Sequence, residues 1–257
     1  MLNKKVLIND LEVNYKITGQ GPVVLLLHGW GGSSSSWIEV GKILSKEFKV
    51  IVPDFPGFGR TPPPNEIWGM DDYADFIFKF IKKLEINSMF LLGHSLGGRI
   101  SIKFLNKYPQ VVNKVIFCNS AGIKHNLSLK NKIIFIIARI GNAIFSPRYL
   151  SRVKDAARNF FYIFIRNRDY VKANDTMKKV MIKVIEEDLV GILSSIETES
   201  LIIVGGKDNY VPPKDAKIFQ QKIKNSKLEV LQNIGHSPHL ECPKRLSKII
   251  VKFFKEQ

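Results

Sequence analysis

Cysteine is scarce in this chain. Its 257 residues include 2, Cys118 inside an apolar run and Cys242 in a loop, and neither has the CxxC spacing of a metal or redox site. Two free thiols in a reducing cytoplasm are the expectation. Long apolar runs are missing as well: the longest, Ile133–Ala138, is closed by Lys132 and Arg139, far short of the roughly 20 residues that span a bilayer. A membrane-crossing helix is therefore not expected. Met1–Asn9 alternates charge and hydrophobe like a strand, without the basic and apolar regions of a signal peptide. No low-complexity tract argues for disorder, and 45% hydrophobic with 24% charged residues is the mix of an ordinary globular core.

Acidic residues are in short supply. Lys and Arg number 39 against 23 Asp and Glu, a formal charge of +16. Such a balance favours anionic partners through its long-range field. The lysines, however, are scattered over every helical pattern, with no basic block interleaved with aromatics and no nucleic-acid motif. A solvated basic surface is the favoured reading, and no nucleic-acid partner is expected.

What is present is an alternation of strand and helix patterns. A hairpin, Lys5–Ile8 and Glu12–Ile17, turns at Asn9-Asp10. Runs suited to strands buried on both faces follow at Pro22–Leu27, Phe48–Val52, Ser88–Leu92, Lys114–Cys118, Leu201–Val204 and Leu228–Leu231, and with the hairpin they make an eight-stranded, mostly parallel sheet. Helical patterns lie near Ser36–Lys46, Asp71–Leu84, Leu96–Lys107, Lys214–Lys222 and Lys244–Phe254, with Ser36 and Asp71 as N-cap candidates. Right-handed crossovers put these helices on both faces. From about Gly122 to Ser195 helix-like stretches appear without an intervening strand. The chain thus divides into a core, 1–121 and 196–257, and a helical cap, 122–195, over the carboxyl edge where an open α/β sheet places its ligand site.

The strand ending at Leu92 runs into Gly93-His94-Ser95-Leu96-Gly97-Gly98 and then a helix. Strand, Gly-x-Ser-x-Gly and helix together define a nucleophile elbow, whose strained turn lifts the serine hydroxyl clear of both elements. A serine hydroxyl needs a base to remove its proton and a carboxylate to orient that base. In chain order after Ser95, the loop Gly205–Pro212 offers Asp208 and the loop Gly235–Pro243 offers His236. His239 is a nearer competitor than His28, His94 or His125. Asp54 precedes the serine and is read as shaping its loop. The loop Asn119-Ser120-Ala121-Gly122 has no carboxylate.

These motifs resemble the α/β-hydrolase superfamily over essentially the whole chain. His28-Gly29-Trp30 is similar to its oxyanion turn, Asp54–Gly59 to its loop after the next strand, Gly93–Gly98 to its elbow, and Gly235-His236 with Glu241 and Pro243 to its histidine loop. The resemblance implies Ser95 as nucleophile, His236 as base, Asp208 as acid, and an oxyanion hole from the backbone N–H groups of Trp30 and Leu96. It requires no metal or organic cofactor. A serine where haloalkane dehalogenases and epoxide hydrolases of the superfamily carry aspartate counts against both. The first expectation is a carboxylic-ester hydrolase for a small to medium, largely apolar substrate. Hydrolysis of a carbon–carbon bond in a ring-cleavage diketone, acyl transfer or perhydrolysis, and a ligand receptor on the same fold are the alternatives. Phe161, Phe164 and Tyr210 are candidates for lining the substrate site. Basic residues of the insertion, among them Lys130, Arg139 and Arg152, face outward on this reading, with contact to an anionic membrane surface as its minority form.

Overall fold

Asn9 adopts a left-handed conformation, φ 53°, which a two-residue hairpin loop needs and asparagine tolerates. It joins β1 (Leu2–Ile8) to β2 (Leu11–Thr18), paired from Leu2↔Ile17 to Ile8↔Leu11. The computed structural model describes residues 1–124 and 175–256. Among these, β3 (Val23–Leu27), β4 (Lys49–Pro53), β5 (Met89–His94), β6 (Val112–Cys118), β7 (Glu199–Gly205) and β8 (Ser226–Leu231) complete one sheet of 8 strands, ordered β1-β2-β4-β3-β5-β6-β7-β8. β2 runs antiparallel to β1 and β4, and the pairs from β4 through β8 are parallel.

The apolar runs read as doubly buried strands divide with period two between the layers. Leu25, Leu27, Leu91, Val115, Phe117, Ile202 and Val204 pack on one face, with α2 (Met70–Lys83), α3 (Leu96–Lys107) and α5 (Pro213–Lys222). Val24, Leu26, Leu92, Ile116, Cys118, Leu201 and Ile203 pack on the other, with α1 (Ile38–Leu44) and α6 (Pro243–Lys255). Each such side chain, fully buried, stabilises the fold by about 1.5–3 kcal/mol. A strand in the middle of this sheet therefore cannot slip by one residue without exchanging its two faces.

The two N-cap assignments are corrected. Ser36 lies inside a 3₁₀ turn, Ser34–Trp37, that precedes α1 and is capped by Ser33. Asp71 lies within α2, which starts at Met70 because the Asp72 carboxylate accepts the Gly69 N–H at 2.7 Å.

Of the 122–195 segment, the described part holds α4 (Asp175–Glu186) and a 3₁₀ turn, Val190–Ser195. Met177, Val180, Val184, Leu189 and Leu193 join the same core as α2 and α3. Its return to the sheet is pinned by Leu189 N–H to the Gly122 carbonyl at 2.9 Å and by the Arg99 guanidinium, which donates to the Glu187 carbonyl. No helix among the described residues is long and apolar enough to cross a membrane.

The order β4-β3-β5 places a topological switch between β3 and β5. The chain leaves β3 toward α1 on one face and leaves β5 toward α3 on the other, which opens a crevice at the carboxyl ends of these strands.

Candidate active site

Ser95 stands at that crevice, between β5 and α3, with φ 52° and ψ −108°. A β-carbon is strained at such a φ, and the surroundings enforce it. The Ser95 N–H donates to the Cys118 carbonyl at 3.2 Å, while its own carbonyl accepts from Gly98 and Arg99 in the first turn of α3. The turn closes only because its glycines lack side chains. A Cβ on Gly93 would lie 2.4 Å from the Gly97 carbonyl oxygen, and one on Gly97 would lie 2.4 Å from that of Leu27. The first collision is with the helix and the second with the neighbouring strand β3.

The structure brings Ser95, His236 and Asp208 together from three separate loops. Ser95 Oγ is 3.1 Å from His236 Nε2, and His236 Nδ1 is 2.8 Å from Asp208 Oδ2. The His236 side chain is 21% exposed and that of Asp208 0%, so the imidazole meets the crevice while the carboxylate is sealed behind it. Asp208 Oδ1 accepts from the N–H groups of Tyr210 and Val211, at 2.7 and 3.0 Å. Oδ2 accepts from Asn119 Nδ2 at 2.6 Å as well as from His236. Burial alone would raise this carboxyl. The hydrogen bond and charge of His236, with those from Asn119 and Val211, hold it below the ordinary carboxylate range instead. Asp208 is thus an acceptor that fixes the proton on His236 Nδ1 and leaves Nε2 free to accept from Ser95.

Glu241 shapes the histidine loop by accepting from the Gly235 N–H at 2.7 Å and the Ser237 N–H at 3.0 Å. His239 is placed elsewhere: it is buried, stacked on Trp37 with ring centroids 4.6 Å apart, and burial lowers its pKa to about 4. His28 is also fully buried and lowered to about 4 by desolvation. Its Nε2 accepts the Phe55 N–H at 3.1 Å, so the Nδ1 proton is donated to the Gly29 carbonyl at 2.8 Å. The loop after β3 is thereby tied to the loop after β4. Asp54 ties the same region, accepting from Ser34 N–H, Asn14 Nδ2 and Arg60 N–H at 2.6, 2.7 and 2.9 Å.

The turn His28-Gly29-Trp30 lies directly on Ser95. A Cβ on Gly29 would be 3.2 Å from Ser95 Cβ, and the Gly97 N–H donates to the His28 carbonyl at 3.1 Å. Leu96 is the first residue of α3, so its N–H has no acceptor within the helix and carries part of the positive end of the helix dipole. Trp30 packs edge-on to Phe58 with centroids 4.8 Å apart. Tyr210 is half exposed, its ring 5.0 Å from that of His236 at the rim of the crevice. Phe161, Phe164, His125 and the basic residues Lys130, Arg139 and Arg152 lie outside the described residues.

Two contacts were not anticipated from the sequence. His94, a weaker candidate for the base than His239 on its place in the sequence, donates Nε2–H to the His236 carbonyl at 2.7 Å. Asn119 reaches both Asp208 and the Gly235 carbonyl. The only sequence signal for Asn119 is its place just after a buried strand next to the elbow strand.

Comparison with known proteins gives the same architecture. The family described as alpha/beta hydrolase fold matches residues 22–142. Monoacylglycerol lipase ABHD6 of Homo sapiens is 23% identical over 91% of this chain and 76% of that protein. Among solved structures, a thermophilic esterase from Thermogutta terrifontis superposes with a TM-score of 0.74 at 22% identity, covering 99% of this chain and 98% of that one. The meta-cleavage product hydrolase CumD from Pseudomonas fluorescens IP01 superposes with a TM-score of 0.71 at 24% identity, covering 98% and 97%.

Proposed function

We propose that the chain is an α/β hydrolase, a reading supported by the family match over residues 22–142 and by the shared fold, and within that family a serine hydrolase that cleaves a carboxylic ester of a small to medium, largely apolar substrate through an acyl-enzyme. One observation carries the reading: the unbroken run from Ser95 Oγ to His236 Nε2 at 3.1 Å and from His236 Nδ1 to Asp208 Oδ2 at 2.8 Å, on a strained elbow. In this mechanism His236 takes the Ser95 proton as Oγ attacks the acyl carbonyl. The resulting oxyanion turns toward the N–H groups of Leu96 and Trp30. Donors of this kind supply about 10²–10³ in rate each when preorganised. His236 then returns the proton to the leaving alcohol, and water, activated by the same base, releases the acid. Asp208 stays ionised throughout and stabilises the imidazolium.

Ester chemistry is preferred because the similar proteins include an esterase and a monoacylglycerol lipase. The likeness to a meta-cleavage product hydrolase keeps carbon–carbon bond hydrolysis as the second reading, since the same serine and histidine serve both. A panel of esters, thioesters, amides and vinylogous diketones, scored by kcat/KM, separates them. The proposal expects short and medium-chain esters to lead. A diketone turned over far faster than any ester would transfer the assignment to the second reading, and no turnover of any member would favour a binding protein.

A further inference from the structure

Asn119 sits where three parts of the site meet. It follows β6 directly and is buried, with φ 44°, in the left-handed region that asparagine tolerates better than most residues. Its backbone N–H is anchored to the Ile203 carbonyl at 2.7 Å, which fixes the side chain between the acid loop and the histidine loop. Both protons of Nδ2 are used, one on Asp208 Oδ2 at 2.6 Å and the other on the Gly235 carbonyl at 3.2 Å. A flipped amide would set its oxygen against a carboxylate and a carbonyl, so the partners themselves fix the orientation. On its far side Asn119 Oδ1 meets Cys118 Sγ at 3.9 Å.

We propose that Asn119 is a positioning residue for the hydrolytic reaction, its one amide nitrogen holding the acid Asp208 and the backbone of the base His236 in a single register. This rests on the triad reading above. Asp208 Oδ2 shares its two donors between Asn119 and His236, and Gly235 immediately precedes the base. Without the amide, the Asp208 carboxylate keeps Oδ1 fixed by the loop N–H groups but loses the donor that sets the plane of Oδ2. The Gly235 carbonyl loses this side-chain donor at the same time. Substrate does not touch Asn119 in this account, so the loss falls on kcat rather than KM.

Among the described residues, the charged and titratable groups that act on His236 include Asp208, His94, His239 and Tyr210. A carboxylate at 119 would add a second negative charge against Asp208 and hold the imidazolium proton more tightly.

The test uses the full chain with Asn119→Gly and Asn119→Asp. Glycine accepts the left-handed backbone and removes only the amide, whereas aspartate keeps the shape and reverses the polarity. The expected result for Asn119→Gly is a kcat reduced about 10- to 100-fold with KM nearly unchanged, a size typical of a misplaced catalytic group. Fluorophosphonate labelling should slow in parallel. For Asn119→Asp, the acidic limb of the kcat/KM profile should move to higher pH, a shift that a merely structural defect would not produce. Either variant decides alone if the other fails to fold. Wild-type kcat in folded Asn119→Gly, or an unmoved acidic limb in folded Asn119→Asp, overturns the proposal. Asp208→Asn, measured beside them, separates the two claims: if it too retains wild-type activity the triad reading has failed, and if it alone is impaired only the role of Asn119 has.

Discussion

His94, the residue before Ser95, donates its Nε2–H to the backbone carbonyl of His236 at 2.7 Å. The elbow therefore presents the serine on one side and holds the histidine loop on the other. Their rings lie 5.0 Å apart, too close for His94 to charge easily, and burial first, then the neighbouring histidines, push its pKa well below the ordinary value.

His94→Phe keeps the bulk of the ring and deletes the donor. The His236 carbonyl then loses a partner, at a cost of about 1–3 kcal/mol if it stays buried, and the base loses one of its anchors. Urea denaturation should show that loss of stability, and steady-state kinetics a fall in kcat with little change in KM. Unchanged stability together with unchanged kcat would mean that the contact contributes nothing.

The choice of base is equally open to test. His236→Ala should be about as damaging as loss of the nucleophile, since triad members fail together and removing one has cost about 10⁶ in kcat in a well-studied case. His239→Ala should lower the melting temperature, because the ring is buried and stacked on Trp37, yet leave most of kcat. The reverse ranking would move the base three residues along the chain.

How much of this site could be read from the sequence depended on what fixes each residue. Ser95 is set by a local constraint, since Gly93 and Gly97 are needed wherever a strand turns this sharply into a helix, and it was legible. Asp208 and His236 followed from chain order, because the loops after β7 and β8 open on the same edge as the elbow. Asn119 was not legible. Its amide gains meaning only through Asp208 and Gly235, 89 and 116 residues away, and no local pattern encodes that meeting. The helix starts failed for a related reason. A run from Ser33 to Ser36 offers several N-caps of equal chemistry, and the burial of Trp37, which is 0% exposed, decides the register instead. At α2 the carboxylate of Asp72 captures the Gly69 N–H, which starts the helix ahead of Asp71.

Stability should depend on pH through the buried histidines. His28 and His239 both drop from 6.5 to about 4 in the fold because burial disfavours their charged form. Above 6.5 both are neutral folded or unfolded and contribute no pH dependence. As the pH falls from about 6.5 toward 4, the unfolded chain binds protons that the folded chain refuses, so stability is lost. Each contributes up to about 1.4 kcal/mol per pH unit in that window. Asp208, with its pKa lowered from 3.8, acts only at still lower pH. Denaturation curves at pH 7, 6 and 5 should therefore fall steadily in midpoint, and less steeply in His28→Gln. A flat profile from pH 7 to 5 would show that these imidazoles are not held neutral by the fold.

The central claim is that Ser95 is a nucleophile activated by His236 and Asp208, and covalent labelling tests it most directly. A fluorophosphonate needs an activated serine but no particular substrate pocket, so it reads the machinery independently of specificity. The account predicts that the wild-type chain takes up one label, located by mass spectrometry on the peptide carrying Ser95, and that Ser95→Ala takes up none. Labelling of Ser95→Ala at the wild-type rate, or a folded wild-type chain that resists the probe altogether, would contradict it.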